Sequence, residues 1–457
     1  MARIAMIGAG SISFSLDLLM DLWLEKGLRK SSLRLMDIDA ARLETLEKLI
    51  RRYREECDID LDITFTQDRA EALRDAQYVI CAVKVGGYGP LEAERAIAER
   101  RGYYRGIGDR VSCYYGGIGA FHQLDFFLSL ARDMEKCCPA ARLIQTANPV
   151  FEGTTLIQRM TSVPTVGVCH GHFGYRELCR AIGVAEDDVE VTIAGVNHCV
   201  WLTRFVKRSS GEDLYPRLDD WIARKAEAFW ASPEFQDPEV AWRWEQLSPA
   251  AVEMYRYYGS FPIGDALRSA APWWFHASLA TKQRWYGKAG GFDSEIGWSQ
   301  YLAEKARKLE RITALAEDAR VRVSDEMPVH ASGEQHIGII DSLENGTPRL
   351  MELNVRNDGL IDGISADAAV EVPAMVDRSG IRGVRVGAMP DKVMRHVIEP
   401  RVNRMEQVLR AFREGDRHGL LLTLMDDPRS VSLDAARGLI EELLAQPWNE
   451  KARQHYR

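Results

Sequence analysis

Hydrophobic and polar positions follow two rhythms in the first half of this chain, one with the period of a strand and one with the period of a helix. Residues 3–7 form a short β-branched and apolar run, and from Phe14 to Leu24 apolar side chains recur at helical spacing. Between them stands Gly8-Ala9-Gly10-Ser11-Ile12-Ser13. The alternation continues with strands expected over 33–36, 63–66, 78–83, 142–146, 164–168 and 189–194, and helices over 40–56 and 120–136. Strands that alternate with helices predict a Rossmann-like, doubly wound parallel sheet, with ligands gathered at the carboxyl ends of its strands. We place this domain at 1–195. The remainder, 196–457, is expected to form a second, helix-rich α+β domain, with helices over 216–231, 248–258, 299–318, 391–414 and 432–445. A strand pair over 349–355 and 370–373 would form a small sheet against those helices. This second domain is assigned to substrate, metal and subunit contacts.

Composition narrows the functional classes. With 457 residues, 46% of them hydrophobic, the chain can bury a core without disulfides or a structural metal. A formal charge of −8 and the lack of a long basic run argue against a nucleic-acid partner, and no apolar stretch is long enough to span a bilayer. The eight cysteines are scattered, with only Cys137 and Cys138 adjacent, which suggests neither a zinc ribbon nor a disulfide framework. The core strand that begins at Arg3 leaves no room for a signal peptide, so a reducing cytoplasm is expected.

The first turn carries the first candidate chemistry. Gly8, Gly10 and Ser11 lie between a strand and a helix, where small residues let the backbone approach a pyrophosphate and the helix N-terminus supplies amide donors. Ser13 stands where the usual fingerprint has its third glycine. Asp37, at the end of the second strand, can accept from both ribose hydroxyls and would repel a 2′-phosphate, so NAD is favoured over NADP. The loop 100–119 holds six glycines and two tyrosine pairs, the composition of a binding loop or of a surface excursion.

A second constellation follows two later strands, which run into Cys169-His170-Gly171-His172 and Gly195-Val196-Asn197-His198. Thiol and imidazole donors suit a borderline divalent cation, and a protein ligand set short of four leaves positions for substrate oxygens. Each residue alone would more often be packed or hydrogen-bonded. Asp265, on a turn after a helix with Arg268 nearby, is either a cap or a base that closes over the cleft.

Taken together with Ala147-Asn148-Pro149, Gly264-Asp265, Gly333-Glu334-Gln335-His336 and Val370-Glu371-Val372-Pro373, these segments resemble glycoside hydrolase family 4, the redox glycosidases, nearly from end to end. The last two segments add little chemistry on this reading. The α-glucosidase branch is the most similar, with the α-glucuronidases close behind. The resemblance implies an overall fold like lactate and malate dehydrogenases, bound NAD, a divalent metal (usually manganese) and a homodimer or homotetramer. It also implies a cycle of oxidation at C3, loss of the C2 proton, expulsion of the C1 substituent, addition of water and return of hydride, an exception to the two-carboxylate scheme. Carried over by residue, Gly8, Gly10, Ser11 and Asp37 hold the dinucleotide, and Cys169 and His198 hold the metal. Asp265 is the C2 base, His170 or a water the acid, and Asn148 and Arg268 bind sugar hydroxyls.

One departure touches specificity. Related α-glucosidases carry an acidic residue before a tyrosine pair, where this chain has Cys113 before Tyr114-Tyr115 in a slightly shorter loop, with Asp109 a candidate substitute. The sugar is therefore expected to be neutral glucose or, alternatively, an anionic sugar such as a uronide or a sulfonated glucose, which Arg101, Arg105 and Arg110 would suit. An NAD-dependent sugar dehydrogenase would share the first domain but has no need of the Cys169/His198 pair. A dinucleotide sensor would need neither that pair nor Asp265.

Overall fold

A computed structural model describes residues 1–57, 59, 61–106, 114–239 and 241–457. Asp109, Arg110 and Cys113 lie outside the described residues. The first half forms six parallel strands, β1 (Arg3–Ile7), β2 (Ser32–Met36), β3 (Asp62–Thr66), β4 (Tyr78–Cys81), β5 (Arg142–Gln145) and β6 (Thr165–Gly167), in the spatial order β3-β2-β1-β4-β5-β6. This is the Rossmann-like doubly wound order that the alternation predicts. Both faces are buried. Ile4 and Met6 of β1 enter one core with helices Ile12–Leu24 and Ala40–Cys57, whereas Ala5 and Ile7 enter the other with helices Phe121–Cys137 and Val150–Met160. Two covered faces explain the unbroken apolar runs of β1 after Arg3 and of β4, whereas β2 and the edge strand β3 keep polar residues at alternate positions.

The second half departs from expectation in its strands, and the strand expected over 189–194 within the parallel sheet proves antiparallel. Instead of a separate small sheet, β7 (Val189–Val196), β8 (Cys199–Lys207), β9 (Phe261–Ile263), β10 (Arg349–Arg356), β11 (Ala369–Asp377) and β12 (Gly380–Gly383) extend the same sheet as antiparallel strands. The extension runs β6-β10-β11-β7-β8-β9, with β12 beside β11. The expected helix over 216–231 divides into Tyr215–Arg224 and Ala226–Trp230 at Lys225, and that over 391–414 contains a π turn, Met394–Ile398. No helix among the described residues is long and apolar enough to cross a membrane.

One row of paired residues crosses the sheet: Thr66, Met36, Ile7, Cys81, Gln145, Gly167, Asn354, Glu371, Gly195, Val200 and Ile263. Gly8, Asp37, Asn148, Cys169, His198 and Asp265 each follow a member of this row by one to three residues. The register of the sheet thus aligns the points from which segments far apart in sequence depart.

Beneath this row, the fully buried Glu152 carboxylate pairs with Arg401 at 2.6 Å, and the Arg401 guanidinium lies 5.0 Å from the Phe151 ring centroid. Removing one partner of a buried pair strands the other charge. Arg401→Met is therefore expected to cost about 3–5 kcal/mol in urea unfolding, and Arg401→Met with Glu152→Gln much less. Equal losses in the two variants would mean that the pair carries no electrostatic weight.

Candidate active site

The dinucleotide turn is built by close approach. Gly8 has φ +99°, and a Cβ there would lie 2.9 Å from the Ala82 carbonyl carbon and from Val83 Cγ2. The Gly10 amide donates to Asp37 Oδ2 at 2.7 Å, and a Cβ at Gly10 would press on that carboxylate at the same distance. Asp37 Oδ1 accepts from the Asp39 amide at 2.9 Å. A carboxylate has about four acceptor positions, so two remain for ribose hydroxyls. Ser11 stands at the N-cap of helix Ile12–Leu24, and its side chain makes no cap bond, which leaves the first amides of the helix for an anion. These features fit a dinucleotide.

The thiol and imidazole follow β6 and β7, two strands that β10 and β11 separate in the sheet. Cys169 follows β6, and its Sγ accepts from the Gly171 amide at 3.4 Å. Burial pushes its thiol up to about 12, with Glu371 adding to the rise and the Asn197 side chain opposing it. A bound cation would reverse that balance, because the thiolate is the ligand. His198 is the second residue of the two-residue turn between β7 and β8, at φ +61°. A non-glycine residue in this region costs on the order of 1–3 kcal/mol and persists only where the surroundings impose it. Here the Ser269 hydroxyl donates to the His198 carbonyl, and His198 Nε2 lies 3.4 Å from Asp265 Oδ2. Among the described residues no three His, Cys, Asp or Glu side chains form a metal cage. A thiol and an imidazole are donor types that suit a borderline divalent cation, whose other donors would have to come from water or substrate.

Asp265 follows β9 and is held against the Cys169 loop, for a Cβ on Gly264 would collide with the Gly171 carbonyl at 2.3 Å. Its carboxylate also pairs with Arg268. Arg268 is buried among carboxylates: it pairs with Glu245 as well, and its Nε is 3.2 Å from Asp293 Oδ2. The sequence assigned Arg268 to sugar hydroxyls, but the geometry makes it first a clamp on Asp265. Asn148 precedes a cis peptide to Pro149, and its buried Oδ1 has no hydrogen-bond partner among the described residues.

Residues that the sequence reading treated as chemically silent complete the site. Glu371, fully buried, accepts from Asn197 Nδ2 at 2.8 Å and from Asn354 Nδ2 at 3.1 Å, which fixes the amide beside Cys169. Glu334 Oε1 is 3.1 Å from His170 Nδ1, and Gln335 Nε2 is 3.4 Å from His172 Nε2. His172 donates from Nδ1 to the Cys169 carbonyl at 2.9 Å, and burial holds it neutral, near 4. A buried carboxylate within an apolar strand, as in Val370-Glu371-Val372, was the available signal, since such a group needs buried donors. Elsewhere, the loop arginines are engaged: Arg101 Nε donates to Glu442 at 2.9 Å, and Arg105 Nε to Glu99 at 2.6 Å.

Residues 3–184 match the model of the family 4 glycosyl hydrolases, and residues 193–430 match that of the family's C-terminal domain. The chain belongs to glycosyl hydrolase family 4. An α-galactosidase of Bacillus subtilis (strain 168) is 28% identical over 397 residues, covering 86% of this chain and 85% of its own. An α-glucosidase of Erwinia rhapontici is 25% identical over 464 residues, with 98% of each chain covered. The structure of a 6-phospho-α-glucosidase from gut microorganisms, in complex with NAD and Mn2+, shares the fold with a TM-score of 0.78 at 18% identity, over 100% of this chain and 99% of that one.

In this family 4 glycosidase the Glu371 carboxyl has a pH signature. Burial pushes it up to about 7 against the pull of the Asn197 and Asn354 amides. The folded value lies above the unfolded one, so the stabilising contribution is complete below about pH 4.5 and is lost as pH rises through 7. Relative to the parent, metal-free Glu371→Gln is expected to gain urea stability between pH 5 and pH 8. A pH-independent difference would show that Glu371 does not titrate in this range.

Proposed function

We propose that this chain hydrolyses α-glycosides of neutral hexoses, glucosides and galactosides, by an internal redox cycle that needs NAD and manganese. The observation that carries this reading is that the segments bearing the dinucleotide turn, Cys169, His198 and Asp265 all leave one register row, with His198 Nε2 3.4 Å from Asp265 Oδ2 and Gly264 packed on the Cys169 loop. When bound, NAD supplies the hydride acceptor for C3 and the divalent cation supplies Lewis acidity that loosens the C2 proton. Gly8, Gly10, Ser11 and Asp37 hold the dinucleotide, and Cys169 and His198 hold the cation. Asp265 removes the C2 proton while Arg268 fixes its carboxylate. The Asn148 side chain orients a sugar hydroxyl, and His170 gives a proton to the departing oxygen.

A neutral sugar is favoured over an anionic one because Arg101 and Arg105 already hold Glu442 and Glu99. A dehydrogenase reading leaves the Cys169–His198 pair and Asp265 without work. The thiol ligand suits a reducing cytoplasm. Exposed Leu422, Met425, Val431 and Leu433 support a homo-oligomer.

The test is a panel of aryl α-glycosides (glucoside, galactoside, glucuronide, galacturonide and sulfoquinovoside), run with NAD and manganese and with either omitted. Aglycone release from the neutral pair that needs both additions, without net NADH, is expected. NADH accumulation without cleavage would establish a dehydrogenase instead, and preference for an acidic sugar would overturn the neutral assignment.

A further inference from the structure

Two four-residue segments, far apart in sequence, interlock beside the site. Of Cys169-His170-Gly171-His172, His170 meets Glu334 and His172 meets Gln335. Glu334 is itself held in place. Its amide donates to Ser332 Oγ at 2.9 Å, and Ser332 donates to Asp21 from its hydroxyl and, at 2.8 Å, from its amide. Asp21 lies in helix Ile12–Leu24, which begins at the dinucleotide turn. The Glu334 side chain is 17% exposed, whereas that of His170 is 74% exposed, so a fixed carboxylate holds one nitrogen of a largely exposed ring.

An exposed imidazole rotates about its side-chain bonds and exchanges tautomers unless one nitrogen is engaged. A carboxylate on Nδ1 selects the form with hydrogen on Nδ1, turns Nε2 outward and supports the positive charge when Nε2 is protonated. We propose that Glu334 is the positioning residue for leaving-group protonation, holding His170 so that Nε2 faces the glycosidic oxygen. This rests on the redox glycosidase reading. In the step it serves, the electron pair of the former C2–H bond becomes the C1–C2 π bond. The C1–O bond breaks with its pair on oxygen, and that oxygen takes the proton from His170 Nε2. When water adds at C1, its proton returns to Nε2 and Asp265 returns the proton to C2, so the protein ends as it began.

If Glu334 acts on expulsion alone, its loss slows that step but leaves C2 deprotonation intact. The experiment runs Glu334→Gln in deuterated water with NAD and manganese on methyl and p-nitrophenyl α-glycosides of the preferred sugar. Deuterium at C2 of recovered substrate is measured against turnover by NMR. The kcat/KM on the methyl glycoside is expected to fall about a hundredfold and that on the nitrophenyl glycoside less than about fivefold. The exchange-to-turnover ratio on the methyl glycoside should rise at least about tenfold. NAD binding, followed by fluorescence titration, should stay unchanged. Equal losses on both substrates with an unchanged ratio would overturn the role of Glu334. His170→Asn provides a second arm: it should show the same signature, and the double variant should be no worse than the worse single, so additive losses would also overturn the proposal. Wild-type protein that releases no aglycone under these conditions overturns the glycosidase reading itself and the role of Glu334 with it.

Discussion

The site depends on a register. A strand slipped by one residue turns its whole set of side chains to the other face. It would also move the residue after its end by about 3.3 Å. Because the row from Thr66 to Ile263 is continuous, the segments carrying Asp37, Gly8, Asn148, Cys169, His198 and Asp265 are placed by backbone pairing before any side chain is chosen. The narrowest links are single bridges, Gly167 to Asn354 and Glu371 to Gly195. Side chains reinforce both, since Asn354 and Asn197 converge on the same Glu371 oxygen. The parallel and antiparallel parts of the sheet are thus tied by a buried amide–carboxyl cluster that also touches the thiol environment.

Electrostatics does for Asp265 what register does for its backbone. Arg268 lies among Asp265, Glu245 and Asp293, and Arg95 lies 3.8 Å from Asp293 on its other side and 3.0 Å from Glu92. Buried ions at this density persist only with partners on every side, because each unpaired charge costs several kcal/mol. The guanidiniums also rest on aromatic rings, Arg268 at 5.1 Å from Phe292 and Arg95 at 4.8 Å from Trp298. A cation so committed has little freedom to follow a sugar, but it holds a carboxylate in one orientation, as the base role proposed for Asp265 requires.

Much of this was legible in the sequence. Period and punctuation revealed the parallel strands, and glycines at Gly8 and Gly10 with Asp37 revealed the turn, because local chemistry decides both. The antiparallel extension was not legible: β9 and β12 are too short for a pattern, and whether β10 and β11 make their own sheet or join another is a long-range choice that no local run encodes. For the same reason Glu334 and Glu371 were passed over. Each lies in a segment whose meaning depends on a partner some 160 to 180 residues away, His170 for one and Asn197 for the other.

His198 shows how strain and function meet. A two-residue turn whose second residue has positive φ is most easily made with glycine or asparagine. This chain spends a histidine there, and the turn holds because Val196 pairs with Cys199 on the strands while Ser269 fixes the His198 carbonyl. The conformation directs the imidazole toward Asp265, the residue brought in by β9. β7, whose run was legible at 189–194, and β9, too short for a pattern, therefore place His198 and Asp265 together. Without them the parallel sheet keeps Gly8, Asp37 and Cys169 just past its strand ends. With them it gains the His198 imidazole and the Asp265 carboxylate 3.4 Å apart, and the proposed redox cycle needs both halves.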